Sequence, residues 1–112
     1  MAIDIEKTMA FMRDNAQAYA EAKAARVYLQ EFRKSKKSLL MIEAEKAGIK
    51  TGQERESYAY AHDEYILLLQ GLQNAVEREE YLSLMIDGCR ARIELYRTEC
   101  ANERAERKGY GA

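Results

Sequence analysis

The chain has one histidine, His62, and two cysteines, Cys89 and Cys100. Any Ser-His-Asp or Cys-His couple would have to run through that single imidazole, and no nucleophile-bearing turn flanks it. A di-iron bundle needs Glu-x-x-His twice, and the motif does not occur. One histidine and two cysteines fall short of a structural zinc site. A phosphate loop and the G-x-G-x-x-G fingerprint are also absent. These residues predict a non-enzyme with no metal, no cofactor and no small-molecule substrate. His62 reads as a turn residue.

Residue types suited to recognition are more plentiful. Tyr58, Tyr60, His62 and Tyr65 lie within eight positions, with Arg55 just upstream. Tyrosine and arginine bury large areas at low entropic cost, which suits a partner-binding patch. The same rings can instead pack a bend onto helix ends. Arg90, Arg97 and Arg104 recur every seven residues. That row can track phosphates or meet an acidic partner. It can equally pair with acids of another helix, in a register that sets Glu21 against Arg90, Asp14 against Arg97, and Lys7 with Glu6 near Arg104. Such exposed pairs fix register more than stability. Lys34, Lys36 and Lys37, with Arg33, form a basic run that offers nucleic acid or an acidic partner a contact. The same register places Glu77, Glu79 and Glu80 opposite it. Met9 and Met12 read as core, while Phe11 lies off their line and could face a second subunit.

Two long helices must position these groups. An apolar stripe runs through Tyr65, Leu68, Leu72, Ala75, Glu79, Leu82, Ile86, Cys89, Ile93, Tyr96, Cys100 and Glu103, in alternating steps of three and four. That is a coiled-coil seam. The first helix shows a less regular seam. It begins Ile5, Met9, Met12, Ala16, Tyr19, slips in phase through the alanine-rich segment 20–25, and resumes as Ala25, Tyr28, Phe32, Ser35, Leu39, Ile42. The slip resembles a stammer. Asp4 is a good N-cap, Gly48 a good terminator, and Thr51 with Glu54 fits a capping box. Asp63 is the expected cap of the last helix. Gly71 and Gly88 inside it suggest close helix crossings, and residues 109–112 should fray.

The reading is all-α: an antiparallel two-helix coiled-coil hairpin with a short helical elbow at its tip. Its helices are expected at 4–47, 53–61 and 63–107 of one domain, 1–112. One seam is a poor core for 112 residues, so the hairpin is expected to dimerise into a bundle or pack on a protein partner. Cys89 and Cys100 stand about 16 Å apart along one helix, too far to bridge, and read as small apolar seam residues. A bridge between chains of an oligomer is the alternative.

Charged residues are 33% of the chain, yet the net charge is −1. A surface devoted to DNA would be far more basic. No apolar run approaches the length of a membrane span, and the first residues lack a signal-peptide pattern. A cytoplasmic location without membrane association is expected.

The pattern Arg55-Glu56-x-Tyr58-Ala59, Glu64-Tyr65, Leu69-x-Gly71-Leu72, Ala75-Val76-x-x-Glu79 and Arg92-Ile93-Glu94-Leu95-Tyr96-Arg97-Thr98-Glu99-x-Ala101-Asn102-Glu103-Arg104-Ala105 resembles small helical accessory proteins of tailed bacteriophages and prophages. The resemblance covers about residues 53 to 105. It departs where Asp63 stands in place of a proline after the histidine. It implies an accessory role in phage recombination or replication inside the bacterial host. The target would be a protein of DNA metabolism or host defence, inhibited or scaffolded. The alternative is a nucleic-acid-binding accessory factor of the same region.

Overall fold

The structure, a computed structural model, describes residues 3–110. It is all-α, with α1 at Ile5–Lys46, α2 at Gly52–Ala61 and α3 at Asp63–Tyr110. The caps follow the sequence closely. Asp4 Oδ1 accepts from the Lys7 amide at 3.0 Å. Thr51 Oγ1 accepts from the Glu54 amide at 3.1 Å. α1 ends in a Schellman motif, in which the Ile49 amide reaches the Ala44 carbonyl at 3.0 Å and the Gly48 amide reaches that of Glu45 at 3.1 Å. Gly48 adopts φ +93°, a conformation in which a Cβ would be strained.

Three local expectations need correction. His62, not Asp63, caps α3: its Nδ1 accepts from the Glu64 amide at 3.1 Å, and its carbonyl accepts from Tyr65 and Ile66. Asp63 is the first helical residue, where a negative charge favours the helix dipole. A Cβ added at Gly71 or Gly88 would meet nothing within 4 Å, so neither glycine marks a close crossing. Gly109 and Tyr110 continue α3 rather than fray, while residues 111 and 112 lie outside the described residues.

The seam of α3 is as read. From Tyr65 to Cys100 every residue of it is buried or half-buried, and only Glu103 is exposed. Cys89 and Cys100 sit on it as free thiols. The seam of α1 differs. It runs without a phase slip through Ile5, Thr8, Met12, Asn15, Tyr19, Ala22, Arg26 and Leu29, all buried or half-buried. Met9 and Ala16 are exposed. Thr8 and Asn15 can occupy seam positions because each is satisfied locally, and Arg26 because Glu79 meets it across the seam. Thr8 Oγ1 donates to the Asp4 carbonyl at 3.0 Å, and Asn15 Nδ2 donates to that of Phe11 at 2.9 Å.

The chain divides into two compact units: residues 20–79, and residues up to Tyr19 with those from Glu80 onward. In the first, α3 runs antiparallel to α1. Glu79 meets Arg26, and Glu64 meets Lys36 at 2.6 Å. The expected register is therefore displaced by about two turns at Arg26 and three at Lys36. The cause is the placement of α2. Glu56 and Tyr60 reach back to Lys37, Tyr58 and His62 reach Glu43, and Ala59 lies between them against Leu40. That alternation sets α2 across α1 rather than beyond its end, so α3 begins beside Lys36. Leu40, Ala59 and Tyr65 form the core there, with Met41 against it.

Candidate interaction surfaces

The aromatic patch at the elbow is largely committed to holding the cross-piece. Tyr65 is buried, and the Tyr60 ring meets it edge-on at 5.3 Å. The Tyr58 ring tilts against His62 at 5.6 Å. Burial, and then the neighbouring Glu43 carboxylate, push the Tyr58 hydroxyl pKa up. Arg55 Nε donates to the Ile49 carbonyl at 2.7 Å and ties α2 to the turn before it. Tyr60 keeps 47% of its surface exposed.

The basic run meets acids other than those expected. Lys36 pairs with Glu64, and Lys37 Nζ lies 2.8 Å from Glu56 Oε1 and 4.9 Å from the Tyr60 ring centre. The hydrogen bond it donates to Glu56, and then that to Tyr60, hold the Lys37 ammonium well above the usual lysine range. Lys34 reaches only Glu31, one turn away, at 3.4 Å. Arg33, Lys34 and Lys37 join Tyr60 and Tyr65 around a pocket of about 360 Å³. Two groups separated in the sequence thus share one site. Glu79 serves Arg26 instead: Arg26 Nη2 donates to its Oε1 at 2.9 Å and Nε to its other oxygen. That guanidinium holds the Glu79 carboxyl below the ordinary carboxylate range.

The arginine row does not form its expected interhelical pairs. Arg90 bonds Asp87 at 3.1 Å and Arg97 bonds Glu94 at 3.0 Å, each one turn back on α3. Arg104 lies on the exposed last turns.

No family model, curated protein or solved structure matches this chain.

Two surfaces emerge that the tyrosine and arginine patterns did not mark. The first is the row Ala25, Tyr28, Phe32, Ser35, Leu39 and Ile42 of α1. Its spacing is that of a seam, but another face of α1 fills the seam. Tyr28 is 65% exposed, Leu39 56% and Ile42 48%, and the Tyr28 and Phe32 rings stack 5.8 Å apart. The second lies in the other unit. Ile3 and Phe11 of the N-terminal segment, with Leu84, Met85, Gly88 and Leu95 of α3, line a groove of about 850 Å³ with Cys89 in its wall. Lys7, Arg92, Asp4 and Glu99 edge it. The off-line Phe11 was the sequence signal for this groove. No helix among the described residues is long and apolar enough to cross a membrane.

Proposed function

We propose that the chain is a non-catalytic docking protein that binds a protein partner and itself through apolar helix faces. The observation that carries this reading is the exposed row from Ala25 to Ile42 on α1. Its three-four spacing over about five turns is that of a helix-packing surface, and the intramolecular seam leaves all of it exposed except the half-buried Phe32. Tyr60, on the rim of the elbow, adds an amphipathic ring beside that helix. The resemblance of residues 53–105 to phage accessory proteins suggests a target in DNA metabolism or host defence within the bacterial cell. The action would be occlusion or scaffolding.

The test is affinity capture from phage-infected bacterial extract with the wild-type chain and with Leu39→Glu/Ile42→Glu. Both positions are exposed, so the variant keeps its helicity. Specific enrichment by wild type that the variant loses supports docking through this row. Equal enrichment by both, or none by wild type, overturns it.

A second reading draws on the pocket that unites Arg33, Lys34 and Lys37 with two tyrosines. A nucleic-acid accessory factor would use such cations on phosphates. Binding of a labelled oligonucleotide should then fall steeply between about 50 and 200 mM salt. Arg33→Gln/Lys34→Gln should reduce that salt slope. Association through an apolar row should barely respond to salt.

A further inference from the structure

The molecule offers both an open apolar groove and an uncovered apolar row, and their dimensions agree. On α3 the groove extends from Leu84 to Glu99, about 22 Å of helix. The row extends from Ala25 to Ile42, about 26 Å. Gly88 lines the groove, and a Cβ added there would meet nothing within 4 Å. The row carries two large stacked rings, Tyr28 and Phe32, at its first turns. Opposite charges are available at the margins. The groove is edged by the cations Arg92 and Lys7 as well as by the acids Asp4 and Glu99. Glu31, between Tyr28 and Phe32, is 69% exposed and held only loosely by Lys34.

We propose that the groove of one copy receives the Ala25–Ile42 row of a second copy. The rings fill the space over Gly88, and Glu31 lies near Arg92 and Lys7. This rests on the docking reading and names the occupant and the seat for self-association. Helix-in-groove recognition uses anchors at this spacing, and the occupant is already a preformed helix, so little ordering is needed. The contact is between unlike surfaces, so each copy contributes a donor face and an acceptor face.

That asymmetry makes a decisive experiment available. Gly88→Trp blocks the groove and leaves the row intact. Tyr28→Lys/Leu39→Lys breaks the row and leaves the groove intact. All three positions are exposed, and circular dichroism should show undiminished helicity in both variants. In sedimentation velocity at about 100 μM, the wild type should associate and each variant alone should remain a 12.9 kDa monomer. An equimolar mixture of the two variants should form a one-to-one heterodimer, because one supplies the row and the other the groove. A mixture that stays monomeric overturns the proposal, as does a variant that self-associates like wild type. A wild type that is monomeric at this concentration overturns it too, without touching the capture result expected of a foreign partner.

Discussion

The two units solve the same problem, two helices with one seam between them, in unlike ways. Residues 20–79 add a cross-piece. Leu40, Ala59 and Tyr65 make a small core, and Arg26–Glu79, Lys36–Glu64 and Lys37–Glu56 link different elements. In the other unit, the ion pairs found among the described residues join neighbours on α3, and a groove runs beside the seam. Leu84 is 67% exposed there. The contrast lies in how each unit is tied, by links between elements in one and by the seam alone in the other, and each leaves apolar surface open: the Ala25–Ile42 row in the first and the groove in the second.

Core truncation should expose the contrast most sharply. Leu40→Ala removes a side chain that is 2% exposed and should cost about 2–5 kcal/mol. Leu84→Ala should fall within about 0.5 kcal/mol, since that residue is mostly in water. Urea denaturation of both variants measures the difference, and comparable losses would erase the distinction between the units.

The two glycines should respond with opposite signs. Gly48→Ala forces a Cβ into positive φ and should cost about 1–2 kcal/mol. Gly88→Ala lies in a regular helix with open space around it and should gain about 1 kcal/mol. Thermal melts decide both. A stabilising Gly48→Ala would mean that the Schellman turn is not the native end of α1.

Acid should act chiefly on residues 20–79. Arg26 holds the Glu79 carboxyl below its usual range, so the pair's contribution is fully present above the ordinary carboxylate pKa. It is lost as pH falls through the lowered value. Glu64, lowered by Lys36, behaves in the same way. Glu79→Gln should flatten the acid limb of a stability–pH curve measured between about pH 2 and 7. An unchanged limb would assign acid sensitivity elsewhere. Smallest of all, Arg90→Gln with Arg97→Gln should leave the melting temperature unchanged, because both pairs are exposed and local. A clear drop would revive an interhelical role for this row.

Much of this architecture is legible in the residues. The α3 seam, the caps at Asp4 and Thr51, and the stop at Gly48 are written in strong local preferences, and they survive in the structure. The α1 seam is hidden because Thr8, Asn15 and Arg26 occupy it, and a search for apolar periodicity passes over polar residues satisfied by a carbonyl one turn back or by Glu79 across the seam. The row Ala25–Ile42 then supplies the only clean apolar period in that stretch, and is mistaken for the seam it lies beside. The register is lost for a tertiary reason: nothing local says that α2 crosses α1 over Leu40. Of the candidate site residues, the tyrosines and lysines near the elbow are brought together, while Arg90, Arg97 and Arg104 remain a surface row on α3.

The central claim is that the row on α1 and the groove beside α3 are one interface seen on two copies. Hydrogen exchange of the intact chain, compared between about 1 and 100 μM, tests it most directly. Amides of residues 25–42 and 84–95 should gain protection together as concentration rises, with those of residues 48–62 unchanged. Exchange independent of concentration, or protection gained only at the elbow, would contradict the account.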